Sequence, residues 1–310
     1  MSGKIICVGS ALIDELYFCE DNVIAGTSNP ANIQKNIGGV ISNISQHLAL
    51  LGNDIELITV FGNDSDGNWI EQELMQLGIK VNESLKVDDS TGKYVSILNK
   101  DGSLYTAACV DICAKYLTPS FLLSKTDKLM SANLIVIDTN IDNLSLQWLI
   151  DFGKENEIPV IIEPVSVAKA RKVAFAQIED VFMITPNEDE LLSLCNKKHT
   201  SIEDAIKELF ERGLKHLWLR KGNKGSVFYS ELNTIQLSAH EIEIQDSTGA
   251  GDAALGAWIA GYVRNSSPDK CLKLGHTLAF EVLQTKGAVK KDINYLSLIE
   301  SLKKYYPDAE

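Results

Sequence analysis

The chain has 310 residues, 45% of them hydrophobic and 23% charged, with 21 Gly and 7 Pro; this ordinary globular composition excludes disordered, collagen-like and low-complexity proteins. Asp and Glu outnumber Lys and Arg by 42 to 29, a formal charge of −13, so the field of the whole molecule repels polyanions and nucleic acid is not an expected partner. No apolar run approaches the roughly 18 residues of a membrane span, and Asp14 and Glu15 interrupt the start before a secretory core can form, so a cytoplasmic protein without membrane contact is expected.

In chain order, a β-branched run predicts a strand at 4–8. Residues 12–35 contain no convincing helix. A helix is expected over 41–51, ended by Gly52, then a strand at 55–61 and a helix over 67–77 ended by Gly78. Residues 91–111 alternate about Lys100-Asp101-Gly102-Ser103, a hairpin signal. Strands follow at 134–138, 159–162, 181–184 and 216–219, with a helix over 201–212 ended by Gly213 and another over 250–263. Strands apolar on both faces that alternate with helices predict a doubly wound α/β fold with a mostly parallel sheet. Nothing marks a linker, so residues 1–310 read as one domain. The segments 12–35 and 91–111 form a small β-element that interrupts it.

Six cysteines are scattered. The nearest pair, Cys109 and Cys113, is spaced C-x3-C with no second pair, which does not fit a zinc site, so reduced and mostly buried thiols are expected. The histidines, His47, His199, His216, His240 and His276, form no constellation.

The most informative string is Asp246-Ser247-Thr248-Gly249-Ala250-Gly251-Asp252, directly before the 250–263 helix. Two glycines there let successive backbone N–H groups point at one spot, with the positive end of the helix dipole behind them: an anion hole. Asp252 either complements the dipole or does chemistry at that hole. The glycines give G-x-G-x4-G far along the chain, not the dinucleotide fingerprint, and no G-x4-G-K-[ST] occurs.

This string resembles the C-terminal signature of the PfkB, or ribokinase-like, sugar and nucleoside kinases. Gly38-Gly39-Val40-Ile41-Ser42-Asn43 resembles the family's G-G-x3-N motif, Asn187-Glu188-Asp189-Glu190 its N-x-x-E motif, and Lys221-Gly222-Asn223-Lys224-Gly225 its nucleotide-side glycine loop. The motifs keep the family's order across nearly the whole chain, and the β-element falls where the family carries its lid. The resemblance implies that Asp252 takes the proton from the acceptor hydroxyl, for which an exposed carboxylate suffices, and that the N–H groups of Gly249, Ala250, Gly251 and Asp252 hold the transferred phosphoryl group. It implies ATP as co-substrate, held at Asn187, Lys221, Gly222, Gly225, Thr248, Gly249 and Gly251. Mg²⁺ would be anchored by Asn187 and Glu190 through water; the same pair also reads as a turn and helix start after Pro186. K⁺ beside the anion hole would use the carbonyls of Asp246 and Thr248, with Val282, Thr285 and Gly287 completing the site.

On the acceptor side, Asp14, Gly38, Gly39 and Asn43 match positions that hold ribose hydroxyls, with Asp138 as a further contact; Asp14 also reads as a turn residue. Val40 after the two glycines, and the segment from Glu163 to Ala170 (Glu-Pro-Val-Ser-Val-Ala-Lys-Ala), resemble the pseudouridine kinases, although Ser42 stands where those kinases often carry Arg. Ser166 and Lys169 would then meet the base of a nucleoside; otherwise Ser166 starts a helix and Lys169 is solvated. The expected reaction is ATP-dependent phosphorylation of a nucleoside 5′-hydroxyl, with pseudouridine as substrate. Ribokinase or another sugar or nucleoside kinase of the family is the alternative, and a non-catalytic binding protein a third. Tyr94, Tyr105, Tyr17 and Phe18 would close the lid over the site, or form lid core, or join two lids in a homodimer.

Overall fold

Strands that are aliphatic on both faces need cover on both sides, and the computed structural model, which describes residues 3–198 and 201–308, supplies it. In chain order the strands are β1 (Ile5–Val8), β2 (Leu12–Cys19), β3 (Ala31–Gly38), β4 (Ile55–Ile58), β5 (Val60–Gly62), β6 (Leu85–Val87), β7 (Lys93–Leu98), β8 (Leu104–Val110), β9 (Leu134–Asp138), β10 (Val160–Glu163), β11 (Met183–Ile184), β12 (His216–Arg220), β13 (Ser226–Ser230) and β14 (Thr234–Leu237). Eight of them form one sheet in the order β14-β13-β12-β11-β10-β9-β1-β4. It is parallel from β4 to β12, and β13 and β14 add antiparallel at one edge.

Side chains alternate between the two faces as the strand period of two requires. Cys7, Val136, Ile161, Met183 and Trp218 enter one core layer, with helices Val40–Leu50, Ala250–Tyr262 and Pro268–Leu283. Ile6, Ile135, Ile162, Ile184 and Leu217 enter the other, under helices Asn143–Glu155, Val167–Phe175 and Ile202–Glu211. Gly52, Gly78 and Gly213 follow their helices in the left-handed region, with φ of 77°, 81° and 89°, where glycine carries no Cβ penalty.

The predicted 55–61 strand divides: β4 belongs to the large sheet, whereas β5 turns away after Thr59 to pair with β6. The β13–β14 hairpin had no sequence expectation. Residues 12–35 and 91–111 assemble the separate sheet β3-β2-β7-β8, and β3 runs on to Gly38. Its hairpin turn closes where Asn99 N–H donates to the Ser103 carbonyl at 2.8 Å. Helix Ser65–Gln76 carries this sheet: its N-cap Asp64 accepts from Gly67 N–H and Thr91 N–H, and Asp66 pairs with Lys93 at 2.6 Å and with Lys35. The described cysteines are free thiols, buried except Cys109. Among the described residues no helix is long and apolar enough to cross a membrane, and no cluster of His, Cys, Asp and Glu could hold a metal by itself.

Candidate active site

The carboxyl ends of β1, β9, β10, β11 and β12 all open on one edge of the sheet, where open α/β sheets bind ligands. Helix Ala250–Tyr262 begins there. Its N-cap is Gly249 at φ 75°, and a Cβ at that position would overlap the Ala288 backbone, so only glycine fits. The first-turn N–H groups have no partner within the helix, and Ser247, Ala250, Gly251 and Asp252 line a cavity of about 740 Å³.

Asp252 is half-buried, not the exposed carboxylate expected from the sequence. Burial pushes its pKa up to about 8; the Asn43 amide, bonded to Oδ2 at 2.8 Å, and the Arg220 charge pull against that rise, while Glu163 and Asp138 add to it. The Asn43 contact joins residues 209 positions apart, tying the G-G-x3-N motif to the C-terminal signature. Asn43 Oδ1 is buried without a partner, an acceptor left for a bound molecule.

Beside Asn43, Gly39 takes φ 94°, and a Cβ there would strike the Ser10 carbonyl; at Gly38 a Cβ would overlap the Asp14 carboxylate. Asp14 lies in a row of the small sheet, Asn36–Asp14–Tyr94–Cys109, whose members are in register and therefore share one face. Burial raises the Asp14 pKa to about 6. Asp111, directly after β8, lies 3.9 Å from Lys169, so the small sheet and the 166–169 loop border one space. Lys169 also donates to Asn140 Oδ1. Ser166 is the N-cap of helix Val167–Phe175, yet its hydroxyl makes no capping bond.

Asp138 corrects an expectation. Its carboxylate is fully buried and accepts from Ser10 N–H, Ile41 N–H, and the Asn140 backbone and side chain; it fixes β1, the Val40–Leu50 helix and Asn140 in place and is not open to the cavity. Lys221 is a second correction. Its ammonium lies 3.6 Å from Glu188, and the cation that lines the cavity is Arg220, one residue earlier. Arg220 donates to Glu163 at 2.7 Å and to the Thr185 carbonyl at 2.5 Å, faces Glu190 at 3.9 Å, and occupies the place a Cβ on Gly251 would need. Gly222 and Gly225, at φ 56° and 91°, turn the chain past β12 and line the same cavity.

Asn187 and Glu190 form a capping box: Asn187 Oδ1 accepts from Glu190 N–H and Glu190 Oε2 from Asn187 N–H. Asp246 bridges two loops, accepting from Thr248 N–H and Gly287 N–H, both at 2.9 Å. The Val282 carbonyl already accepts from Thr285 N–H and Oγ1.

Residues the sequence did not single out complete the cavity. Trp218, His240, His276 and Phe280 line it; Ser226 Oγ sits between Trp218 Nε1 and His276 Nε2, and His240 meets the Phe280 ring edge-on at 5.4 Å. Burial lowers the His276 pKa to about 4. The histidines form no constellation in the sequence, and only packing brings His240 and His276 to the cavity; His199 lies outside the described residues. Val165 also lines the cavity, at φ 68°, a conformation that costs about 1–3 kcal/mol for a residue other than glycine.

Residues 2–293 match the pfkB family carbohydrate kinases. The chain belongs to that family. The kinase is 30% identical to pseudouridine kinase of Escherichia coli over 96% of both chains, and 26% identical to guanosine-inosine kinase of Exiguobacterium acetylicum over 90% of this chain and 94% of that one. Its fold matches Arabidopsis thaliana ribokinase, solved with ribose and ATP, with a TM-score of 0.84 at 23% identity over 98% and 99% of the two chains. It is thus a sugar or nucleoside kinase, and kinases of this family use ATP with Mg²⁺. The residues fit such an ion in hydrated form. The capping box occupies Asn187 Oδ1 and Glu190 Oε2, which leaves Glu190 Oε1 among the acidic groups of the cavity, with Glu163, Glu241 and Asp252, and Mg²⁺ keeps several waters when bound with phosphates.

Proposed function

We propose that this kinase transfers the γ-phosphoryl group of ATP to the 5′-hydroxyl of a nucleoside, with pseudouridine as its substrate. The observation that carries the reading is the Asn43–Asp252 bond: one amide links the acceptor motif to the carboxylate at the head of the anion hole. The ribose would lie between Asp14 and Asn43, its hydroxyls meeting a carboxylate and the free Asn43 Oδ1. Asp252 Oδ would take the hydroxyl proton while the N–H groups of residues 249–252 hold the charge on the transferred group. Bound Mg²⁺ would neutralise the triphosphate, with Glu190 holding it through water.

Support for a nucleoside comes from the other end of the acceptor space, where the Lys169 ammonium, which has donors beyond its bond to Asn140, and the uncapped Ser166 hydroxyl offer polar groups for a base. The 30% identity to a pseudouridine kinase over nearly the full length points the same way. Ribokinase or another sugar or nucleoside kinase is the second reading, favoured by the ribokinase fold match and the guanosine-inosine kinase relative.

The purine end of ATP fits the pocket of Trp218, His240 and Phe280, with Thr248, Gly222 and Gly225 along the phosphates. K⁺ would sit at the carbonyls of Asp246 and Thr248; the engaged Val282 carbonyl leaves Gly287 and Thr285 as the remaining candidates. Two lids would pair through β8, an edge strand exposed along its length with Leu104, Tyr105 and Val110 outward. ADP release with Mg-ATP, with and without K⁺, tested on pseudouridine, uridine, adenosine, ribose and fructose decides the substrate. A preference for pseudouridine of about a hundredfold in kcat/KM, roughly 2.7 kcal/mol, is expected; a preference for ribose or fructose would reject the nucleoside.

A further inference from the structure

Val165 is a β-branched residue in the left-handed region, at φ 68°, where such side chains are rare. The Ser166 N–H donates to the Pro164 carbonyl at 2.8 Å, closing a three-residue γ-turn of the strained hand around it. The surroundings hold the turn from both sides. Thr139 Oγ1 also donates to the Pro164 carbonyl, at 2.5 Å, and Glu163 is fixed by Arg220 and by Thr185 Oγ1 at 2.6 Å. Glycine or asparagine would adopt this backbone with less strain, so the turn itself does not call for an isopropyl group.

The side chain does have a place. Val165 lines the same cavity as Glu163, Asn187, Glu190, Arg220 and Asp252, with Val40, Ile242, Ile244 and Leu283 as further aliphatic lining; it follows Glu163 by two residues, and Glu163 is held by Arg220. An apolar branch there denies water a hydrogen-bonding site next to the anion hole. We propose that the Val165 side chain is the water-excluding wall of the phosphoryl-transfer point and couples ATP consumption to the presence of an acceptor.

Two reactions compete at that point. In the productive one the acceptor oxygen bonds to the γ-phosphorus, the bond to the β,γ-bridging oxygen of ADP breaks, and the hydroxyl proton passes to Asp252. In the idle one a water oxygen forms the new bond, and ADP and inorganic phosphate leave, with the water proton taken by Asp252 or solvent. Val165 disfavours the second by occupying the water's place.

The inference rests on the reading of this cavity as the transfer site, and the test separates the two. Val165→Gly, Val165→Asn and Val165→Ile are compared with the parent for ADP formed per acceptor phosphorylated, and for ADP release without acceptor. The Gly and Asn variants are expected to raise acceptor-free ADP release roughly tenfold and to push the ratio above unity, while Ile keeps it at unity; circular dichroism checks that each is folded. If glycine loosens the turn, Asn, which tolerates this backbone, carries the same expectation. A ratio that stays at unity in the folded Gly or Asn variant, or a loss of turnover with coupling intact, overturns the inference. If Asp252→Asn retains turnover, the transfer-site reading itself fails, whatever Val165 does.

Discussion

As the proposed base, Asp252 sits where two demands conflict: it would have to be desolvated enough to act, yet ionised to accept a proton. Burial raises its pKa to about 8 and the Asn43 bond counters the rise, so kcat/KM is expected to climb with pH through about 8 and then level off. Asp252→Asn should lower turnover roughly a thousandfold in an ADP-release assay while nucleotide binding and fold persist. The same shift has a stability consequence with a definite sign. A carboxyl raised from 3.8 to about 8 favours the folded state fully below pH 3.8, and that contribution disappears as pH rises through 8. Urea unfolding of the ligand-free protein should therefore show Asp252→Asn gaining on the parent between pH 5 and pH 8, by up to about 1.4 kcal/mol per pH unit. At Gly38 the constraint is steric: Gly38→Ala would push aside the Asp14 carboxylate and should lower acceptor kcat/KM by roughly tenfold with KM for ATP little changed.

Strand ends are the elements that assemble the site. β10 delivers Glu163, the residues after β11 deliver Thr185, and β12 delivers Arg220; Arg220 and Glu163 pair at 2.7 Å with both side chains largely buried, and Thr185 Oγ1 donates to the same Glu163. Removing one partner leaves a buried charge uncompensated: Arg220→Met should destabilise by about 3–5 kcal/mol in chemical denaturation, and Glu163→Gln/Arg220→Met should recover part of it. Position in the strand explains why Lys221 looked better in the sequence than Arg220. A glycine loop advertises the cation within it, whereas Arg220 is the last residue of β12, and only the parallel neighbour β11 and the helix at Gly251 place it at the cavity. The capping box of Asn187 and Glu190 was legible because it is local, three residues apart. The small separate sheet was legible as two β-segments, but its order β3-β2-β7-β8 was not, because β2 pairs in parallel with a strand roughly 80 residues away and no local pattern encodes that register.

At the scale of the molecule, the small sheet stands on helix Ser65–Gln76 through Lys93, Glu15 and Asp66 and presents β8 outward. If lids pair, sedimentation should give twice the chain mass, and lysine at Tyr105 and Val110 should return a monomer with reduced acceptor affinity. What the sequence by itself determined is everything written in short range: alternating strands and helices, glycine helix ends, the glycine-bearing helix start at 249–252, and the family those motifs resemble. Backbone geometry and capping depend on residues a few positions apart, so composition and spacing suffice for them. What only the tertiary structure decided is which of these side chains face each other. The contact between Asn43 and Asp252 spans 209 positions, Asp138 turns out to be spent on holding Ser10, Ile41 and Asn140, and His240 and His276 reach the cavity with Phe280. Burial sets the proton affinities of Asp14 and Asp252, and burial is a property of the packed chain, since desolvation depends on every neighbour that displaces water.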